Sequence, residues 1–266
     1  MKKIKLTKEG VTTILYPVLF GVLVVVLWQT EILHKILGAD TFTLPLPKRI
    51  FTIIGDNYPA IFKNVGATVT VALGGLIFGS FLGYLLGIIA TVFPKWGAGG
   101  LTVVSAFNAI PIIAVAPIIN NLTKDFSKDP NTRSMLAKIL VVTLICMVSM
   151  SINAYRGFNE LKPFSLDLMK SYAADQLTIF LKLRVPNSVP YVFTALRVSV
   201  PASVISALVS EYFAEFIIGV GRQIRENIVL AQYATAWAYI IVACAIGILL
   251  YVILLIAESI LLKGRR

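Results

Sequence analysis

Residues 167–186 read DLMKSYAADQLTIFLKLRVP, a polar and partly basic stretch set between apolar segments too long for an ordinary soluble domain. A chain that leaves one helix-compatible segment in water between two membrane spans offers a handle to something soluble. The composition around it agrees. Hydrophobic residues make up 58% of the 266-residue chain, charged residues 14%, and the mean hydropathy is +0.85, whereas soluble domains are about 45–50% apolar. The chain belongs in a bilayer. Its net charge of +11 does not indicate nucleic acid, because the bases lie mostly in short segments flanking apolar runs, where they orient membrane proteins.

About 20 apolar residues cross a hydrocarbon core about 30 Å thick. Six segments qualify: 12–31, 65–93, 101–122, 135–154, 190–213 and 235–262. The first follows MKKIKLTK, but its apolar run is longer than a signal-peptide core and WQTE stands where a small-residue cleavage site belongs, so it is expected to stay as a span. With the N-terminus inside, thirteen bases fall on the inner side (Lys2, Lys3, Lys5, Lys8, Lys95, Arg156, Lys162, Lys170, Lys182, Arg184, Lys263, Arg265, Arg266) and nine on the outer. Both termini and the 167–186 stretch are therefore expected in the cytoplasm. Cys146 and Cys244 sit in apolar runs without a nearby partner and are expected as buried free thiols rather than a disulfide or a zinc site.

The second segment carries Gly75, Gly79, Gly83 and Gly87 at a spacing of four, with Gly74 beside them. On a helix they form one smooth stripe that lets another backbone approach closely in lipid. Tight packing and a face that slides during transport both fit. Pro111, Pro117 and Pro201 interrupt the third and fifth segments and free backbone carbonyls. Ser199, Ser203 and Ser206 suit either a pathway wall or bonding to their own helix.

Catalytic signatures are absent: no phosphate-binding loop, no H-E-x-x-H, no G-x-S-x-G, and a single histidine, His34, placed just beyond the first span as a solvated or interfacial residue. No catalytic residue, cofactor or metal is expected. Arg197, Glu211, Glu215 and Glu258 are the charges within or beside spans, and the three glutamates fall near span ends rather than at the midplane where an ion-coupled carrier keeps ionisable groups. The energy for transport is expected to come from outside this chain. The 167–186 stretch itself reads as a helix, a turn and a return to the membrane. Ser165 and Asp167 are its candidate caps, Leu168, Tyr172 and Ile179 share a face flanked by Met169 and Gln176, and Pro186 and Pro190 mark the return. Such a helix either binds a partner or lies on the headgroups.

At these residues the chain resembles the cytoplasmic loop of binding-protein-dependent ABC importer permeases, whose pattern is E-A-A, three residues, Gly, nine residues, I-x-L-P. With the proline at Pro186, Asp167 takes the Glu position, Leu168 and Met169 the two alanines, Ala173 the glycine, and Leu183 and Val185 the Ile and Leu. Alanine adopts positive φ less readily than glycine, so a more helical turn is expected at Ala173. The likeness covers roughly residues 40–262. Thr43-Leu44-Pro45-Leu46-Pro47 is similar to the L-P-x-P segment of the nitrate, sulfonate and taurine subgroup, Ala109-Ile110-Pro111 with Ala116-Pro117 to its R-A-I-P…A-P stretch, and residues 190–212 to its A-L-P-Y-x-x-x-G-L-R…A-E-[FY] run. SYAAD and Glu211-Tyr212-Phe213 are similar to the branch that imports thiamine-pyrimidine and riboflavin precursors.

The resemblance implies an all-α, polytopic type I importer permease of about six transmembrane helices. Residues 1–40 would hold the N-terminus and first span, and 41–266 the core domain with a coupling loop at 156–189. It implies a non-catalytic subunit of the bacterial inner membrane, embedded in lipid and paired with a second permease subunit, an identical copy in the simplest case. ABC ATPases would bind inside, and an external binding protein would deliver a small solute, either an organic anion such as sulfonate or nitrate or a vitamin or pyrimidine precursor. Asp167, Leu168, Met169, Tyr172, Ala173, Asp175 and Ile179 would form the ATPase-coupling site. Pro111, Ser199, Ser203, Ser206 and Glu211 would line the pathway. Gly219, Gly221 and Arg222 would form an external loop, which either approaches the binding protein or is simply a polar connection, with Arg222 and Arg225 attractive to anions. The TKDFSKDPNTR segment, 123–133, reads as a connection. The rival reading is a secondary carrier or facilitator working without ATP, and a membrane scaffold is third.

Overall fold

Prolines set the start of five helices. Lacking an N–H and preset near helical φ, proline suits the first turn, and it stands there in the helices that open at Pro47, Tyr58 (with Pro59), Pro94, Pro130 and Val185 (with Pro186). A computed structural model describes residues 8–123, 129–213 and 218–263. Lys2, Lys3, Lys5, Lys124, Lys128, Glu215, Arg265 and Arg266 lie outside the described residues, as does the middle of the 123–133 connection. Among the described residues every regular element is helical. In chain order they are α1 (Lys8–Gln29), α2 (Ile32–Leu37), α3 (Pro47–Asp56), α4 (Tyr58–Val92), α5 (Pro94–Ala106), α6 (Ile112–Leu122), α7 (Pro130–Asn159), α8 (Ser165–Ser171), α9 (Gln176–Ile179), α10 (Val185–Tyr212), α11 (Val220–Val229) and α12 (Tyr233–Leu261).

Four stretches are long and apolar enough to cross a membrane: Tyr58–Val92, Asn131–Asn159, Gln176–Tyr212 and Tyr233–Leu261. The first helix contributes a shorter apolar length, Leu15–Gln29. The chain is therefore a multi-pass, all-α membrane protein. The expected third span is not continuous. After α5 comes a short 3-10 turn, Phe107–Ala109, and then Ile110 and Pro111 are extended before α6 begins. Pro111 explains the break, because its ring disfavours helical geometry at the preceding residue. Pro201 was expected to interrupt the fifth span, and it does not. Together with α9 and a π-helical turn, Phe180–Arg184, α10 makes one continuous helix of 37 residues through both Pro190 and Pro201. Packing on neighbouring helices holds such a helix together where a bond is lost.

The core lies where α10 packs on the α4–α7 pair, around Val71, Ala72, Val142, Cys146, Val200 and Ala207. The glycine stripe of α4 makes that pair close. Gly75 faces Val142, Gly79 faces Thr143 and Cys146, Gly83 faces Met147 and Met150, and Gly87 faces Ser151 and Ala154. A Cβ added at Gly83 would lie 2.8 Å from the Met150 Cβ and 3.0 Å from the Ser151 nitrogen. The stripe is a packing seam between two backbones.

Two further sequence expectations change. His34 is buried, not solvated, because the Leu44-Pro45 segment folds over it and the Leu44 carbonyl lies 2.6 Å from Nε2. Trp237 holds the same segment by donating from Nε1 to the Thr43 carbonyl at 3.0 Å. Cys146 is buried as expected, but Cys244 is exposed on the apolar surface of α12.

Candidate functional site

The loop at residues 160–184 is built on two braced stalks. At the end of α7, the Phe158 and Asn159 backbone and side-chain oxygens accept from Arg184 Nη1 at 2.8 and 2.9 Å. Asn187 Nδ2 donates to the Gly157 and Glu160 carbonyls, and Tyr191 donates to the Glu160 carboxylate. The rings of Tyr84, Phe158 and Phe180 meet in series, the first pair edge-on and the second tilted, with centroids 5.2 and 5.4 Å apart. Residues 160–184 therefore leave and return through a rigid base.

From that base α8 projects with none of its residues buried. Phe164, Leu168, Tyr172 and Leu177 are all exposed, Tyr172 at 79% and Leu168 at 59%. Asp167 is exposed in the first turn of α8, where a carboxylate complements the helix N-terminus. Ser165 and Asp167 do not cap, since Phe164 precedes the helix in a left-handed conformation that carries no side-chain bond, and the Ser165 hydroxyl donates instead to the Lys162 carbonyl. The cap that exists was not expected: Asp175 opens α9 by accepting from the Thr178 amide at 3.2 Å. The Thr178 hydroxyl and then this amide hold the Asp175 carboxyl below the usual aspartate value.

Ala173 departs from expectation in an informative way. Its φ is +53°, left-handed, and not a continuation of the helix. Its amide bonds to the Lys170 carbonyl and that of Ala174 reaches back to Met169. These are the two bonds of a Schellman C-cap, whose left-handed position favours glycine. Here alanine holds the left-handed position that favours glycine. Met169 is half-buried and Ile179 is 2% exposed in the protein interior, so Ile179 does not share the exposed face of Leu168 and Tyr172.

At the opposite end of the bundle sits a second polar assembly. Glu211 is fully buried, and both its carboxylate oxygens lie 2.9 Å from the Thr68 hydroxyl. The Gly221 amide donates to it at 2.9 Å, the Val220 amide donates to Thr68, and the Gly219 amide donates to Asn64 at 2.8 Å. Lys138, also buried, reaches the Ile218 carbonyl at 3.4 Å. Gly219, Gly221 and Arg222 are thus not an exposed loop, because they form the first turn of α11 seated on α4 and α10. Gly219 has φ +129°, and a Cβ there would strike the Glu211 carboxylate. Arg222 bonds the Glu226 carboxylate at 2.6 Å. Nothing in the sequence pattern singled out Asn64, Thr68 or Lys138; the available signal was two polar residues four apart on α4 and one lysine within the apolar run of α7.

The remaining sequence candidates disperse. Pro111 is exposed at the break before α6. Ser199, Ser203 and Ser206 are buried on the inner face of α10, with the Ser203 hydroxyl bonded to its own helix at Val200. Arg197 and Glu258 meet across α10 and α12 in a two-pronged ion pair at 2.6 and 2.8 Å.

Residues 75–266 match the family described as the binding-protein-dependent transport system inner membrane component. Among curated relatives, the formylaminopyrimidine transport permease protein ThiX of Halalkalibacterium halodurans is 27% identical over 253 residues, covering 95% of this chain and 96% of that protein. A probable ABC transporter permease protein of Haemophilus influenzae is 24% identical over 200 residues, covering 75% of this chain and 77% of its own length. With the matched residues running from the middle of α4 through α7, α10 and α12 and holding the braced loop between two of them, this chain belongs to the family of binding-protein-dependent ABC importer permeases.

Proposed function

We propose that this chain is the pathway-forming subunit of an ATP-driven importer, and that α8 is where force enters it. The observation that carries this is the pairing of an exposed apolar face, Phe164, Leu168, Tyr172 and Leu177, with a base rigid enough to pass a push onward. An ATPase groove that takes this face, with Asp167, Met169, Ala173 and Asp175 around it, would bury about 1.5–3 kcal/mol of transfer free energy per large side chain. Docking alone moves nothing. The ATPase must hold α8 differently in its open and closed states, because a partner with equal affinity for both shifts no equilibrium.

On this reading the α8 end and both termini face the cytoplasm, the chain sits in the inner membrane and pairs with a second, identical copy, and an external binding protein meets the α11 end. The solute class best supported is a pyrimidine vitamin precursor, from the near full-length similarity to a permease named for formylaminopyrimidine. An organic anion has less support, since Arg222, one of its two sequence candidates for attraction beside Arg225, bonds Glu226. The test is to co-purify the chain with the products of its neighbouring genes and measure uptake of labelled formylaminopyrimidine and of taurine in proteoliposomes. ATP-dependent uptake of the pyrimidine is expected. Uptake that persists without any ATPase would make the protein a carrier.

A further inference from the structure

The helix that leaves the coupling stretch does not stop at the membrane. From Gln176 to Tyr212 it runs unbroken for 37 residues, about 55 Å at 1.5 Å per residue. Its first turns are braced on the end of α7 beside α8, and its last turn carries Glu211. That carboxylate is shielded from solvent and grips α11 by the Gly221 amide while holding Thr68 of α4, which in turn receives the Val220 amide. A carboxylate facing the first-turn amides of a helix is favourable in charge as well as in hydrogen bonding. The seat also excludes alternatives, because Gly219 adopts a φ of +129° with no room for a Cβ against the carboxylate.

We propose that Glu211 is a positioning residue that ties α11 to the far end of this rod, so that displacement begun at α8 arrives at α11 on the other side of the membrane. This rests on the importer reading above. Four elements converge on the tie: Asn64 and Thr68 from α4, Lys138 from α7, Glu211 from α10 and the Gly219–Gly221 amides opening α11. Lys138 is buried in the same assembly and reaches the Ile218 carbonyl, next to Gly219. A buried donor left without its acceptor costs its desolvation, so losing the carboxylate is costly at the Gly221 amide. Removing the carboxylate should therefore free α11 while leaving α8, its base and the glycine seam untouched.

The test uses the complete complex in proteoliposomes, with ATP hydrolysis, solute uptake and hydrogen exchange of the residue 219–223 amides measured on each variant. Wild type must first show ATP-driven uptake; its failure there would count against the importer reading itself. With wild type active, Glu211→Ala should keep ATP hydrolysis, lose uptake by about tenfold or more, in the range of coupling between distant sites, and exchange the α11 amides faster. Glu211→Gln keeps an acceptor for Gly221 and should retain part of the uptake. If Glu211→Ala does not assemble, Thr68→Val, which removes one hydroxyl at nearly constant volume, decides with the same three readouts and a smaller expected loss. Wild-type uptake per ATP in the assembled variant, or unchanged protection of α11, would overturn the proposal.

Discussion

Replacing Gly83 by alanine tests the seam on which the bundle depends. The added Cβ would meet the Met147 carbonyl oxygen, the Met150 Cβ at 2.8 Å and the Ser151 nitrogen at 3.0 Å. Two of these three are backbone atoms, which cannot rotate aside, and relieving the Met150 contact to ordinary van der Waals distance requires α4 and α7 to part by about 0.6 Å. Between Gly75 and Gly87 the seam runs about 18 Å, so a local wedge loosens contacts along much of it. Overpacking of this kind costs about 1–3 kcal/mol. Gly66 lies on the same helix with nothing within 4 Å of its would-be Cβ, and alanine there gains up to about 1 kcal/mol of helix propensity. The two variants should move in opposite directions, with a gap of about 2–4 kcal/mol between them in detergent unfolding midpoints. A Gly83→Ala protein as stable as wild type, with Gly66→Ala no better, would refute the packing reading of the stripe.

Three smaller predictions accompany it. Ala173→Gly should stabilise the α8–α9 turn by about 1 kcal/mol, because alanine holds a left-handed φ of +53° there; slower hydrogen exchange at the Ala174 amide is the readout. Asp175, held below the ordinary aspartate value of 3.8 by Thr178, contributes stability that is present above that value and lost as pH falls through its folded value. Protection of the Thr178 amide, corrected for intrinsic exchange, should be flat above about pH 5 and decline below the usual aspartate range. Arg197→Leu should destabilise the α10–α12 contact by leaving the mostly buried Glu258 carboxylate without its partner, and adding Glu258→Leu should recover stability in a double-mutant cycle.

Much of this was legible in the sequence, for physical reasons that also explain the misses. Long apolar runs announce spans because lipid demands them, and four glycines in register announce a close helix partner, which α7 proved to be. The loop pattern placed α8 correctly, since polar residues between spans have few alternatives. Side-chain burial was less readable. Ile179 and Leu168 have similar hydropathy, yet one is buried in the braced base and the other projects into water, a difference made by the tertiary turn at Asp175. Gly219-Val220-Gly221 reads in sequence as an external loop, and only its partners, Glu211 nearby and Thr68 and Asn64 far off in sequence, reveal it as a fixed helix start. The break at Ile110-Pro111 was announced by its proline, while Pro201, equally suspicious in sequence, lies in a helix that neighbouring packing keeps whole.

The most direct measurement of how force enters this subunit is the number of solute molecules imported per ATP hydrolysed by the reconstituted complex when Leu168 and Tyr172 are both replaced by glutamate. Both side chains are exposed and outside the bundle core, so insertion and fold should survive. The account predicts that uptake collapses while the chain still inserts, because two of the four side chains of the apolar face proposed to meet the ATPase become charged. A wild-type ratio of solute to ATP in that variant would contradict it.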